Sequence, residues 1–94
     1  MTKAEICKQI KEKTGLDNVS VQAVVEAFME TVKETLADGK AVYLRGFGTF
    51  ELKHRAEKTA RNISKNTTIV IPEHDIPHFR PARDFEKMVS GQAE

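Results

Sequence analysis

Residues 42–52 read VYLRGFGTFEL, and the fold turns on how that stretch is understood. Val42 and Leu44 lead into Gly46-Phe47-Gly48, and Phe50 and Leu52 follow with Glu51 between them. Apolar side chains at every second position describe a strand with one face buried, and the run is interrupted at the glycines. The stretch therefore predicts a β-hairpin. Glycine at the turn permits a positive φ or the close approach of another backbone.

Upstream of this hairpin the apolar period is helical. Thr2 and Glu5 form a capping-box pattern, Ile6 and Ile10 share a face, and Gly15 follows, which predicts a first helix ending near Thr14. Leu16 packs at the connection. Asp17 is placed to cap a second, longer helix in which Val21, Val24, Val25, Phe28, Met29, Val32 and Leu36 recur at three- and four-residue spacing until Gly39 closes it. The two segments form a helical hairpin whose apolar stripe, centred on Phe28 and Met29, is broader than one short helix covers. Either the sheet of the same chain covers the remainder or a second subunit contributes to the core, and the second subunit is the better account.

Downstream, Ile69, Val70 and Ile71 form a β-branched run that Pro72 terminates, and Asp84 to Val89, with Phe85, Met88 and Val89 apolar, reads as a short closing helix. Gly91 to Glu94 reads as a frayed tail. The 94 residues hold no internal repeat and no Pro-, Gly- or Ser-rich linker, so the reading is one domain over 1–94: a helical part at 1–40, sheet and arm at 41–81, and a helix at 82–90.

A net charge of +1 says little by itself, because 15 cations and 14 anions nearly cancel. Their distribution says more. Lys53, Arg55, Lys58, Arg61 and Lys65 are opposed over that interval only by Glu57, whereas the rest of the chain is net acidic. The same interval has almost no large apolar side chain, yet strand-forming runs flank it. Without a core to join, it predicts a two-stranded arm that projects from the body. About ten residues at ~3.3 Å each reach roughly 33 Å, close to one turn of a DNA duplex. The lysines and arginines suit phosphates, and Arg61-Asn62 supply donors for minor-groove base acceptors. A solvated charged loop is the plainer alternative. Against it stands Ile63, an isolated β-branched residue at the tip, which could enter a base step as a wedge or instead pack across the arm against Ile69.

Other chemistries have little support. Cys7 is the only cysteine and sits among Ile6 and Ile10 as a packed thiol, consistent with a reducing compartment. No stretch approaches the ~18 apolar residues of a membrane span. His74 and His78 are four apart, but Pro77 between them excludes the regular helix that would align them on a metal. No phosphate-binding glycine loop follows a strand. These observations predict no catalytic residues, no metal, no cofactor and no small-molecule substrate.

Several runs together carry a resemblance: Arg45-Gly46-Phe47-Gly48-Thr49-Phe50, then Arg55-Ala56, Arg61-Asn62, and Pro77-His78-Phe79-Arg80-Pro81. In this order and at these spacings they resemble the HU and integration host factor family of bacterial histone-like DNA-bending proteins, over nearly the whole chain. The resemblance implies an α+β fold: an N-terminal helical hairpin, an antiparallel β-sheet saddle with a protruding β-ribbon arm, and a short C-terminal helix, in an intertwined dimer. It implies double-stranded DNA as partner, a homodimer or a heterodimer with a relative, and a nucleoid location in a bacterial cytoplasm. Lys53, Arg55, Lys58, Arg61, Asn62 and Lys65 fall on the family's arm, Arg80 and Arg83 on its phosphate-contacting flank, and Gly46 and Gly48 on the turn where backbone meets the sugar-phosphate chain. Arg45 and the Pro-His-Phe-Arg-Pro run resemble the integration host factor side. Phe47, Phe50 and Phe79 match the family's core.

Three positions depart from the family pattern. Ile63 stands where the family has proline, Asn66 where the turn has glycine, and Ala82 where a glycine precedes the last helix. Binding of duplex DNA with low sequence specificity is the leading expectation. A site-selective bender similar to integration host factor, and a protein-interaction module whose basic arm grips an acidic partner, are the alternatives.

Overall fold

The computed structural model describes residues 1–62 and 67–91. The elements run α1 (Lys3–Thr14), α2 (Asn18–Ala37), β1 (Val42–Leu44), β2 (Gly48–Arg55), β3 (Lys58–Asn62), β4 (Thr67–Ile71), β5 (His74–Pro81) and α3 (Arg83–Ser90). Helices come first, antiparallel strands follow, and a short helix closes the chain, as expected for the α+β class. The chain divides into two compact units, Met1–Thr35 and Leu36–Glu94.

In the first unit both helix starts follow from their capping residues. Thr2 Oγ1 accepts the Glu5 N–H at 3.3 Å, and Gly15, left-handed at φ 76°, donates its N–H to the Lys11 carbonyl at the other end of α1. Asp17 accepts the Ser20 hydroxyl at 2.7 Å and the Ser20 N–H at 3.0 Å, and these bonds to the ionised form hold its carboxyl below the ordinary 3.8. Lys3 Nζ meets Glu26 Oε1 at 2.9 Å, joining α1 to α2, while Cys7 and Val21 are the side chains of this unit that are fully buried.

Part of the α2 stripe is not covered, although Leu36 is buried and Val25 and Val32 are half-buried. Val24 is 65% exposed, Phe28 45% and Met29 39%. Among the described residues the buried apolar side chains are Cys7, Val21 and Leu36, a small core for a chain of this length. Burying a Val, Phe or Met side chain fully contributes about 1.5–3 kcal/mol each, so the uncovered stripe is a large unused stabilisation.

In the second unit the sheet order is β1-β2-β5, all antiparallel, and β3 and β4 form a separate two-stranded ribbon. The hairpin read from residues 42–52 is present, with Val42 opposite Phe50 and Leu44 opposite Gly48. The eight-rung partner of β2 is β5, an element absent from the sequence reading, which treated residues 77–81 only as a motif. Pro77 and Pro81 hide it. Proline cannot donate to a ladder and is tolerated on an edge strand, which is where the sheet order places β5.

Strand parity sorts β2 and β5 into two faces. Phe50 and Leu52 lie opposite Phe79 and Pro77, and Thr49, Glu51, Lys53 and Arg55 lie opposite Arg80, His78, Ile76 and His74. On the apolar side the rings of Phe50 and Phe79 are 4.9 Å apart, Phe47 lies 5.2 Å from Phe79, and Phe85 of α3 stacks on Phe47 at 5.4 Å. Phe50 and Phe79 are half-buried in this cluster, with Phe85 joining them, whereas Phe47, expected in the core, makes the ring contacts but stays 44% exposed. The closing helix extends the Asp84 to Val89 run by one residue at each end. The tail beyond Gly91 lies outside the described residues.

Candidate nucleic-acid interface

The site has two parts, both built by the second unit. The first is a concavity of about 380 Å³ at the turn end of the sheet, lined among others by Arg45, Gly46, Gly48, Arg80 and Arg83. It forms because the β1–β2 turn is tied to the end of β5. The Leu44 carbonyl accepts the Phe47 N–H at 2.9 Å, and the Phe47 carbonyl accepts the Ala82 N–H at 2.9 Å. Residues distant in sequence are thereby placed around one hollow. Ala82 serves as N-cap of α3 in extended backbone without a side-chain cap bond.

Both glycines of the turn are required, for different reasons. Gly46 has φ 80°, a left-handed conformation that L side chains rarely adopt. Gly48 is required by crowding: a Cβ there would lie 2.6 Å from two ring atoms of Phe79 and 2.7 Å from the Arg80 carbonyl. The resemblance assigned Gly48 to the DNA backbone, and the structure adds a packing requirement that exists without DNA.

The second part is the ribbon. Lys53 and Arg55 share the polar face of the sheet with Arg80. The ladder breaks after Arg55↔His74 and resumes at Lys58↔Ile71, leaving residues 56–57 and 72–73 as the joint between sheet and ribbon. Lys58 and Arg61 are three apart on β3 and so lie on opposite faces of the ribbon, both exposed. Cations on both faces suit an element lying in a groove, where phosphate strands pass on either side. Ile69 lies opposite Ala60, and Ile69 and Val70 are 47% and 58% exposed, so the ribbon has no core of its own. Asn62, opposite Thr67, is the last described rung. Ile63, Lys65 and Asn66, read as wedge, arm cation and turn residue, lie outside the described residues.

The polar face also carries residues that the sequence reading did not assign. Glu51 Oε1 accepts from Arg80 Nη2 at 3.3 Å, and its Oε2 lies 3.5 Å from His78 Nδ1. That Nδ1 is buried and makes no hydrogen bond among the described residues, so the approach to Glu51 is a proximity, with charge attraction only when His78 is protonated. By contrast, Arg45, Lys53, Arg55, Lys58 and Arg83 form no ion pair among the described residues. At the joint, His54 Nδ1 meets Asp75 Oδ1 at 2.9 Å and Nε2 meets Glu73 Oε2 at 3.2 Å. The hydrogen bond to Asp75, and then that to Glu73, raise His54 above the ordinary 6.5, with partial desolvation opposing. Once β5 is recognised, period-2 counting finds these pairs, since Glu51 faces His78 and His54 faces Asp75 in register. Among the described residues no group of His, Cys, Asp and Glu has the arrangement of a metal site, and no helix is long and apolar enough to cross a membrane.

A helical unit, a three-stranded antiparallel sheet and a basic two-stranded ribbon together define a β-arm architecture. The family model described as bacterial DNA-binding protein matches residues 1–90, and the chain belongs to this family of HU and integration host factor subunits. It is 36% identical over 91 residues to integration host factor subunit beta of Marinobacter nauticus, covering 96% of this chain and 93% of the relative. To DNA-binding protein HU of Thermus thermophilus it is 37% identical over 89 residues, covering 95% and 92% of the two chains. An Anabaena HU–DNA cocrystal structure superposes with a TM-score of 0.93 at 32% identity, covering 98% of this chain and 100% of that one.

Proposed function

We propose that two copies of this chain form a dimer that grips double-stranded DNA with paired ribbons in the minor groove and bends or compacts it, without catalysis. The observation that carries this reading is the ribbon itself: exposed Lys58 and Arg61 on opposite faces of a coreless two-stranded element that follows Lys53 and Arg55 of the sheet in the chain. Such an element gains little by folding against its own chain and much by neutralising phosphates. Minor-groove binding with bending is the general mode for which HU and integration host factor are themselves reference cases. The dimer is supported by the uncovered Val24, Phe28 and Met29 of α2, which a second copy would bury.

Low sequence specificity is the preferred reading, because minor-groove acceptors separate A·T from G·C but little else, and DNA deformability supplies most remaining selectivity. Arg45, Arg80, Arg83 and the backbone at Gly46 and Gly48 would hold phosphates beside the sheet, and Asn62, Ile63 and Lys65 would complete the arm within one functional domain. A bacterial nucleoid is the corresponding location. The test is competition. Protein bound to a labelled duplex of about 35 base pairs is challenged with unlabelled duplex or with an acidic polypeptide of equal charge. Displacement by duplex at far lower concentration is the expected result; preferential displacement by the polypeptide would favour the protein-interaction reading.

A further inference from the structure

We propose that Glu51 is a displaceable counter-ion for Arg80, so that the phosphate contact of Arg80 is made by exchanging one anion for another, with His78 taking over Glu51. The inference rests on the DNA-binding reading above. Glu51 stands in the middle of the polar sheet face, in line with Lys53 and Arg55 on its own strand and opposite His78 on β5. An acidic residue there opposes an approaching phosphate. Its two oxygens are engaged differently: Oε1 holds Arg80 Nη2 at 3.3 Å, whereas Oε2 has His78 Nδ1 nearby at 3.5 Å without a hydrogen bond.

That arrangement suits an exchange. Arg80 is 59% exposed along its side chain and can swing toward solvent, while Glu51, at 31%, is more enclosed and stays with the sheet. When Arg80 turns to a phosphate, the carboxylate left behind has a buried donor site within a few tenths of an ångström of hydrogen-bonding range, in the tautomer that carries a proton on Nδ1. The move leaves no polar group without a partner: the guanidinium gains phosphate, the Glu51 carboxylate, still charged, gains the N–H of a neutral His78, and a buried nitrogen acquires the bond it lacks. Lys53, Arg55 and Arg83 have no such restraint among the described residues. The contact at Arg80 is therefore conditional, favouring DNA held firmly against the sheet over a passing encounter.

The exchange also changes the salt response. An Arg80 released from Glu51 neutralises one charge while uncovering another, so it adds little to net counterion release. In Glu51→Gln each Arg80–phosphate contact should steepen the slope of log K against log salt by about 0.9 per protomer. Affinity at low salt should rise roughly threefold to twentyfold, the modest worth of an exposed pair counted once per protomer of a dimer.

The experiment is a set of anisotropy titrations of a duplex of about 35 base pairs at several salt concentrations, using the unaltered chain, Glu51→Gln, Arg80→Met and the double variant. Thermal melting checks that all four fold alike. The proposal expects Glu51→Gln to bind more tightly with the steeper slope, and expects the gain to shrink to the removal of a repelling charge, without the steepening that Arg80 supplies, in the Arg80→Met background. In the unaltered protein, the His78 ring signals should shift on DNA addition, and in Arg80→Met they should sit at the bound position without DNA. Equal gains from Glu51→Gln in both backgrounds would mean that Glu51 merely repels DNA, and would overturn the exchange. An unaltered affinity in Glu51→Gln, with the unaltered chain binding well, would overturn it too. Failure of the unaltered chain to bind duplex at all would instead remove the DNA-binding reading beneath it.

Discussion

Replacing Gly48 with alanine should destabilise the protein far more than the same change at Gly46. The added methyl at Gly48 would lie 2.6 Å from two Phe79 ring atoms and 2.7 Å from the Arg80 carbonyl. The ring cannot simply turn away, since Phe50 and Phe47 flank it with centroids 4.9 and 5.2 Å distant. The carbonyl is backbone in the eight-rung β2–β5 ladder, so relief requires the strands to part. Overpacking of this kind costs about 1–3 kcal/mol, and a contact with backbone places Gly48→Ala near the upper end. For a domain of this size about 1 kcal/mol corresponds to ~4–8 °C, so the melting midpoint should fall by roughly 10–20 °C. At Gly46 nothing lies within 4 Å of the built Cβ and only the left-handed φ of 80° is penalised. That costs about 1 kcal/mol, or ~4–8 °C. The assay is thermal unfolding followed by circular dichroism, with all variants at one protein concentration because dimer melting depends on it. A Gly48→Ala protein as stable as the unaltered chain, or more stable than Gly46→Ala, would refute the packing argument. If that stable variant also lost DNA binding, Gly48 would serve only the approach of the DNA backbone.

Further outcomes can be checked on the same material. With roughly six to ten phosphate contacts from two subunits, duplex affinity measured by anisotropy should fall by about three to five orders of magnitude between about 50 and 200 mM salt, and a flat profile would defeat the phosphate account. Arg61→Ala should weaken duplex binding while leaving the melting curve in place; a lower melting point instead would assign Arg61 to the fold. The His54 titration, followed by NMR, should have its midpoint above 6.5, and Asp75→Asn should bring it back down, because the Asp75 bond is the larger cause. Protonated His54 stabilises the joint fully below its ordinary value, and this contribution disappears as pH rises through the raised one. A midpoint unmoved by Asp75→Asn would show that the pair does not persist in solution.

The helical unit was legible because its signals are local. Thr2 and Asp17 cap as their side chains require, and the spacing from Val21 to Leu36 gives one long helix. The hairpin was legible for the same reason, from alternation around Gly46 and Gly48. β5 was not, because two prolines and the mixed run His74-Asp75-Ile76 obscure its period, and its partner β2, which ends at Arg55, is separated from it by the whole ribbon. The ribbon cations could be counted from sequence, but their division between two faces needed the register of β3 with β4. The Glu51–Arg80–His78 group and the His54 pairs were not assembled from sequence because each joins β2 to β5 or to the joint before it, a pairing that needs β5 to be recognised. The separate packing reason for Gly48 likewise arises from Phe79, far along the chain.

Bending is the central claim, and it is measured most directly on a duplex of about 35 base pairs with a fluorophore at each end, following energy transfer and anisotropy in one titration. Two ribbons that grip the minor groove should raise both signals together, and Ile63→Ala should diminish the energy transfer more than the binding, since a wedge unstacks bases while the cations remain. A rise in anisotropy with the duplex ends still far apart would contradict the account, leaving a DNA binder that does not bend its target.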